Sequence, residues 1–244
     1  MSVEFRNVSK ALRRGGRVLF DDLNFRIEAG ERAAILGAPK SGKSSLLRLI
    51  CGTDIADIGE IERTSSVSWP IPLGEFLVGY STVATNIRFV MRLYGVDSDE
   101  TLFRIADLAD ISEFLNRRLA DCPRYVKTRV AWALGVGLGF DVCLFDERVA
   151  SSLDKEFRPR ALEILKALSS QKTIVVATSQ PKEVADLCDT VFVLNDRKLT
   201  LYRDAKEGLA QFKALMDKNA EDGPDLPDAA PEVVEDEFVL EIGI

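Results

Sequence analysis

A glycine-rich segment between an apolar run and a helical pattern limits most strongly what this chain can fold into. The residues from Gly37 to Ser44 read G-x-x-x-x-G-K-S. They follow the apolar run 33–36, which is typical of a buried strand, and they precede apolar residues that recur at helical spacing between 46 and 50. A strand, a phosphate-binding loop and a helix in this order are the context that the motif requires. The pattern therefore predicts an α/β chain built around a phosphate loop.

The loop carries its own phosphate chemistry. Successive backbone N–H groups in such a loop form a concave donor surface for phosphate oxygens, and the following helix adds the partial positive charge of its N-terminus. Lys43 is placed to reach β- and γ-phosphates, and the Ser44 hydroxyl is placed to bind Mg²⁺. The predicted phosphate-binding residues are Gly37, Ala38, Pro39, Lys40, Ser41, Gly42, Lys43, Ser44 and Ser45.

A second pattern supplies the acidic side of the same site. Four apolar residues, 142–145, are followed by Asp146 and Glu147. An acidic residue at the carboxyl end of a strand would hold Mg²⁺ through water, so Asp146 and Ser44 are the predicted metal-binding residues. Glu147 is the predicted catalytic residue, because a carboxylate there can orient or deprotonate an attacking water.

Charge and hydropathy exclude two classes of partner. The segment 219–244 contains nine acidic residues and no Lys or Arg, which more than accounts for the formal net charge of −7 and leaves about +2 on the rest of the chain. Neither part is predicted to bind nucleic acid. No apolar run approaches the roughly 20 residues of a membrane span, so membrane association would have to go through a partner. Four scattered cysteines fit reduced thiols in a cytosolic protein.

Hydrophobic periodicity gives the order of the elements. The predicted strands are 2–6, 18–27, 33–36, 60–63, 67–69, 142–145, 173–177, 190–194 and 199–202. Besides the helix that follows the loop, the predicted helices are 83–94, 98–106, 111–119, 126–136, 155–168, 182–187 and 205–217. Trp69 and Phe89 are interpreted as packing residues, because aromatic side chains most often fill cores. We expect a nucleotide-binding domain over 1–218 with a helical insertion over about 70–136, followed by a disordered acidic tail over 219–244.

The motif order resembles the ATP-binding subunits of ABC transporters over about residues 2–203. Ser151-Ser-Leu-Asp154 and the segment 183–194 follow the acidic strand end in that family's order. Within the family, the chain most resembles the ATPases of capsular-polysaccharide export. The strings that carry this closer likeness are Ser68-Trp-Pro70, Asn86-Ile-Arg-Phe-Val90 with Leu93-Tyr-Gly95, Arg129-Val-Ala-Trp-Ala-Leu134, Phe140-Asp141 and Phe145-Asp-Glu147.

The resemblance implies a fold, a cofactor and partners. The fold would be the P-loop ABC ATPase fold, a mixed sheet core with an N-terminal antiparallel β part and a helical subdomain. Two such subunits, as a homodimer or with another ATP-binding subunit, would enclose Mg²⁺ and ATP between them. A membrane permease subunit would dock on the helical subdomain and move polysaccharide outward. The subunit would then lie on the cytoplasmic face of the bacterial inner membrane.

Several positions depart from the family pattern. The signature loop falls on Cys122-Pro-Arg-Tyr-Val126, where Tyr125 would obstruct the close approach that a glycine permits. The glutamine of the loop after the Trp-Pro string falls near Val78, and the switch histidine falls at Ser179. The chain contains no histidine at all. The aromatic residue that stacks on adenine falls near Leu12, and the middle glycine of the phosphate loop is Lys40.

These departures leave different interpretations open. The first is an exporter subunit, active or degenerate, that works with a membrane permease. We expect it to bind ATP with weak or no hydrolysis, because each lost electrostatic contact to the transferred phosphoryl group costs about 10²–10³ in rate in other enzymes. The second is a regulatory or scaffold protein with the same fold, which binds ATP and transports nothing. The third is an unrelated P-loop kinase or GTPase, in which the strings after Asp146 would be coincidences.

Overall fold

A computed structural model describes residues 2–12, 16–71, 74, 76–146 and 153–221. These residues form eight strands, β1 Val3–Ala11, β2 Val18–Ile27, β3 Arg32–Gly37, β4 Ile58–Arg63, β5 Val142–Phe145, β6 Thr173–Thr178, β7 Thr190–Asn195 and β8 Lys198–Tyr202. The helices are α1 Lys43–Cys51, α2 Val83–Leu93, α3 Asp99–Leu108, α4 Arg124–Gly137, α5 Arg158–Leu168 and α6 Ala205–Glu221. Among these residues no helix is long and apolar enough to cross a membrane.

Two sheets organise the molecule. An antiparallel sheet has the strand order β2-β1-β4, and a mixed sheet has the order β5-β6-β3-β7-β8. In the mixed sheet β3 is parallel to β6 and β7, β5 is parallel to β6, and β8 is antiparallel to β7. Apolar residues of α1 share one buried cluster with residues of both sheets, such as Phe5, Leu47 and Phe192. The predicted mixed core with an N-terminal antiparallel part is confirmed.

The helical insertion packs in a second buried cluster, which it shares with part of the mixed sheet and with α5. Helix α4 is buried along most of its length, and its apolar residues cluster with those of α2, α3, β5 and α5. Helix α6 covers another part of the mixed sheet through Phe212, which is 3% exposed. The helix runs to Glu221, so the first three residues of the predicted tail are helical, and the rest of the tail lies outside the described residues.

The predicted helix 111–119 is wrong. Only two short 3₁₀ turns form there, Ser112–Phe114 and Leu119–Asp121. The backbone between them pairs with the segment before α2: Leu119 N donates to the Ser81 carbonyl, and Arg118 forms a bridge with Thr82. Tertiary hydrogen bonds have therefore replaced the helical ones that the apolar spacing indicated.

The predicted helix 182–187 is also wrong, since only the single turn Pro181–Glu183 forms. The eleven residues 179–189 connect parallel strands β6 and β7, so they must run back along a six-residue strand. That strand is about 20 Å long, whereas eleven residues of α-helix span about 16 Å. A more extended path is needed, and it still buries Val184 and Cys188.

The remaining differences are local. Strand β1 extends to Ala11, five residues beyond the predicted end. The predicted strand 67–69 reduces to a single bridge between Val67 and Val142. Trp69 is 8% exposed and packs in the core as predicted, whereas Phe89 is 55% exposed, so its interpretation as a packing residue is wrong.

Candidate functional site

The phosphate loop joins β3 directly to α1, as the motif predicts. Gly42 is the N-cap residue of α1 with φ 104°, a left-handed conformation that favours glycine. A Cβ at Gly37 would lie 2.5 Å from Ser41 Oγ and 3.2 Å from the Leu194 carbonyl oxygen. The two motif glycines are therefore required by backbone conformation at one end of the loop and by close approach at the other.

Lys43 spans the loop that it belongs to. It is 5% exposed, and its Nζ donates to the carbonyl oxygens of Gly37 and Ala38, at 2.9 Å each. Ser41 Oγ is buried and has no hydrogen-bond partner within the described residues, while Ser44 is exposed at the start of α1. An ammonium group, a buried hydroxyl and a helix N-terminus thus converge on one loop, which fits the phosphates of ATP.

Arg63 binds the C-terminal end of α1, a role that no sequence motif predicted. Its Nε donates to the Ile50 carbonyl at 2.8 Å and its Nη2 to the Leu49 carbonyl, which satisfies two of the last carbonyls of the helix. Burial lowers the pKa of this guanidinium. The phosphate helix is nine residues long, so a cation bound to its last turn stabilises a helix that would be marginal alone.

The strand order brings the second half of the site to the same edge. Strand β6 lies between β3 and β5, and the carboxyl ends of these parallel strands lie together. Leu36 pairs with Thr178, and Phe145 pairs with Val176. Asp146 therefore follows β5, and Ser179 follows β6, at the edge where the phosphate loop begins. The half-buried Asp146 also pairs its N–H with the Ile71 carbonyl at 3.0 Å.

Part of the predicted site lies outside the described residues. Glu147, the predicted catalytic carboxylate, and Ser151 and Ser152 belong to the interval 147–152. The described residues continue from Leu153. Asp154 accepts two hydrogen bonds of 2.8 Å from the Arg129 guanidinium.

Three of the positions that depart from the family pattern can be located in the structure. Tyr125, in the first turn of α4, is half-buried, and its ring packs against Arg129 and Phe114. Leu12 is 59% exposed beside the turn between β1 and β2. Lys40 adopts φ 64°, so it keeps the left-handed conformation for which the family uses glycine.

Asn86 anchors the loop that contains Val78, a role that the sequence did not reveal. Asn86 is 4% exposed; its Oδ1 accepts from Val78 N at 2.7 Å, and its Nδ2 donates to the carbonyls of Val78 and Thr82 at 3.0 Å each. A buried amide inside a helix that faces a loop is a signal for such an anchor, because it needs partners for all its polar atoms.

The family model described as "ABC transporter" matches residues 20–148, just over half of the chain. "Capsule polysaccharide export ATP-binding protein CtrD" of Neisseria meningitidis serogroup B is 29% identical over 88% of this chain and 99% of its own. "ATP-binding protein BexA" of Haemophilus influenzae is 30% identical over 78% of this chain and 87% of its own. "Polysialic acid transport ATP-binding protein KpsT" of Escherichia coli is 25% identical over 90% of this chain and 100% of its own.

Solved structures confirm the fold. An ATP-binding subunit of an ABC transporter superposes with a TM-score of 0.76 at 18% identity, covering 91% of this chain and 99% of the other. A dimeric ATP-binding cassette in a post-hydrolysis state with ADP and Pi superposes with a TM-score of 0.70 at 22% identity, covering 82% and 97%. With the family model, the phosphate loop and the strand order in agreement, this chain belongs to the ABC transporter family.

Proposed function

We propose that the chain is the ATP-binding subunit of an exporter of capsular or other cell-surface polysaccharide. The phosphate loop with Lys43 across it is the single observation that carries the ATP-binding part of this proposal. The polysaccharide part is supported by the relatives CtrD and KpsT, a capsule polysaccharide export protein and a polysialic acid transport protein, which align along nearly their whole lengths. No relative supports the alternative of a scaffold protein without transport, and membership of the family excludes an unrelated kinase or GTPase.

Residues of this chain would bind the nucleotide as follows. The backbone of the loop and the α1 N-terminus bind the phosphates, and Lys43 Nζ exchanges its two carbonyl acceptors for phosphate oxygens. Ser44 and Asp146 would hold Mg²⁺, which neutralises charge on the phosphates when it is bound. Hydroxyl and carboxylate oxygens are the donor type that Mg²⁺ prefers, so the residues present fit the ion.

We propose that hydrolysis by this chain alone is weak or absent. The structure has Ser179 at the edge position of the switch histidine, and Val78 bonds to Asn86 through its backbone. Neither a serine nor a valine offers the groups that the family uses there to sense the γ-phosphate. Each missing electrostatic contact is worth about 10²–10³ in rate in other enzymes.

Helix α2 presents the surface on which a permease would dock. Thr85, Phe89 and Leu93 lie one helical turn apart on its exposed side, and Phe89 and Leu93 are 55% and 67% exposed. Tyr80, 82% exposed, lies in the loop before the helix. Exposed apolar side chains at helical spacing are typical of a protein–protein contact. We propose that this surface binds the permease at the cytoplasmic face of the membrane, with ATP bound between two ATP-binding subunits.

Mg·ATP binding and turnover measured on the same purified sample test the nucleotide part. Lys43→Ala should abolish binding in calorimetry, whereas Lys166→Ala, which removes an exposed lysine of α5 outside the phosphate loop, should keep the affinity within about threefold. Binding without turnover would support the proposal in full. Turnover at the rate of an active transporter that Lys43→Ala abolishes would contradict weak hydrolysis, and equal binding by both variants would contradict the site.

Co-purification with the co-expressed permease tests the docking surface. Phe89→Ala should lower the recovered complex at least fivefold, because a central apolar contact is lost. Leu162→Ala on α5, where Leu162 is 46% exposed, is the matched control and should leave recovery unchanged. Equal recovery with both variants would place the permease elsewhere.

A further inference from the structure

Arg129 lies at a junction of three segments. The residue is 5% exposed, although arginine is rarely buried without a partner. Its Nε and Nη2 donate to the two carboxylate oxygens of Asp154 at 2.8 Å each, and its Nη1 donates to Asp110 Oδ2 and to the Asp110 carbonyl at 3.3 Å each. Arg129 belongs to α4, Asp110 follows α3, and Asp154 precedes α5. The guanidinium therefore joins the helical subdomain to the nucleotide-binding core.

Two aromatic rings lie against the guanidinium. The Arg129 Cζ atom lies 4.6 Å from the ring centre of Tyr125 and 4.7 Å from that of Phe157. Such cation–π contacts are strongest when the cation is shielded from water. Tyr125 occupies a position at which the family pattern has glycine. The contact between its ring and Arg129 is therefore a feature of this chain. We call Tyr125, Arg129, Asp154 and Phe157 the arginine joint.

The joint fixes the start of α5. Asp154 Oδ1 also accepts from Phe157 N at 3.1 Å, and the Asp154 carbonyl accepts from Arg158 N at 3.1 Å. This carboxylate thus holds Arg129 and the first turn of α5 at once. Phe157 also makes an edge contact with Trp132 of α4, with ring centres 5.3 Å apart. Any rotation of α4 against the core must disturb these contacts.

The segment that precedes the N-terminus of α4, next to Tyr125, is connected to α2. Ala120 N donates to the Gly79 carbonyl at 2.8 Å, and Leu119 N to the Ser81 carbonyl at 2.9 Å. The loop around these carbonyls bonds to α2 through Asn86. A continuous series of hydrogen bonds therefore runs from the α2 surface through residues 118–120 to the segment that precedes α4.

Val78 stands near the position at which the family pattern has a glutamine. Val78, in the loop that contacts α2, has no side-chain donor or acceptor and cannot bind Mg²⁺ or water through its side chain. The loop bonds instead to Asn86 within the helical subdomain. The arginine joint is the buried charged contact between that subdomain and the start of α5 in the described part of the chain.

We propose that Tyr125 and Arg129 are positioning residues that couple nucleotide occupancy at the phosphate edge to the orientation of α4. This inference rests on the proposed ATP binding at the loop and on permease docking at α2. The bidentate pair transmits displacement of Asp154 to α4. The two rings pack against the guanidinium and restrict its movement. Such coupling needs one element whose orientation changes with ligand binding at the phosphate loop and with permease binding at α2. We assign this role to α4.

Trp132 reports directly on the joint, because it is fully buried and contacts Phe157. A Trp69→Phe background leaves Trp132 as the single tryptophan, since the chain has two. We expect Mg·ATP to change its emission in this background. Tyr125→Phe, which keeps the ring, should retain the change, whereas Tyr125→Leu and Arg129→Lys should reduce its amplitude at least fivefold. Calorimetry on the same samples should show ATP affinities within threefold of one another.

The outcomes separate the coupling from ATP binding itself. An undiminished ATP-induced change in Tyr125→Leu and Arg129→Lys would make the joint purely structural and overturn the inference. ATP binding without any emission change in the background would overturn it as well. No heat of binding in any sample would refute the proposed function and the coupling that depends on it. Should both core variants fail to fold, Asp110→Gly, which removes only the peripheral carboxylate at a residue with φ 52°, should reduce the amplitude about twofold, and an unchanged amplitude would count against the joint.

Discussion

Lys40 is a residue whose side chain conflicts with its backbone conformation. It adopts φ 64° in the middle of the phosphate loop, and its side chain is exposed. A left-handed conformation costs a residue with a Cβ roughly 1–2 kcal/mol, a cost that glycine avoids. The same loop conformation is thus kept here at the expense of stability.

Lys40→Gly should raise the free energy of unfolding by about 0.5–1 kcal/mol, because the relieved strain exceeds the extra entropy of glycine in the unfolded chain. Lys40→Ala removes the same charge but keeps the strain, so it should bring no gain. Urea unfolding of the three proteins measures both effects. A glycine variant no more stable than the alanine variant would argue against strain at this position.

Two of the four cysteines should be unreactive while the protein is folded. Burial raises the pKa of Cys143 to about 11 and that of Cys188 to about 12, whereas Cys51 and Cys122 are half-exposed. The thiolate is the reactive form and burial also blocks access, so at pH 8 these two thiols should react at least about 100-fold more slowly than the half-exposed Cys51 with a thiol reagent. Denaturant should abolish the difference. Rapid labelling of all four cysteines in the folded protein would contradict the burial.

At the scale of elements, the start of α5 depends on a charge in α4. The Arg129 guanidinium lowers the pKa of Asp154 and so keeps this carboxylate ionised. A depressed pKa contributes stability above the ordinary value near 3.8, and the contribution is lost as the pH falls through the folded-state pKa. The attachment of α5 to α4 should therefore weaken in acid.

Asp154→Asn should lower the free energy of unfolding by about 3 kcal/mol at pH 7, because it leaves a buried guanidinium without its carboxylate. The difference from the unchanged protein should shrink as the pH falls below 4. Asp107→Asn is the control, since Asp107 is 81% exposed in its pair with Arg160 and should cost less than 1 kcal/mol. Denaturant unfolding between pH 3 and pH 7 measures both. Parallel curves for the unchanged protein and Asp154→Asn would disprove the linkage.

At the scale of the whole molecule, α6 is the last element of the described part of the chain. Phe212 anchors this helix to the mixed sheet, while eight of the nine acidic residues of the predicted tail lie beyond Glu221. Most of the net negative charge thus lies outside the residues that the structure describes.

Removal of residues 222–244 should leave the melting temperature unchanged within about 2 °C, because contacts within the body hold α6 in place. It should also abolish binding to an anion exchanger at pH 7, since the formal net charge changes from −7 to about +1. Truncation after Asp204 is the control and should destabilise the protein strongly, because it removes the buried Phe212. Equal melting temperatures for all three proteins would contradict this role of α6.

The sequence by itself determined the phosphate loop, its flanking strand and helix, and most strands of the mixed sheet. These features depend on local rules: glycine at 42 for a left-handed backbone, apolar runs for buried strands, and periodicity for helices. The position of Ser179 at the phosphate edge also followed, because parallel strands end at one edge.

Only the tertiary structure decided the features that depend on distant partners. The segment 111–119 lost its helix because its backbone pairs with the loop before α2. Phe89 became exposed because the opposite side of α2 packs on the core. Arg63, Asn86 and Arg129 acquired their roles from groups 8 to 25 residues away in the chain. Local propensity depends on residues that are neighbours in the sequence. These contacts, in contrast, form only when packing brings separate segments together.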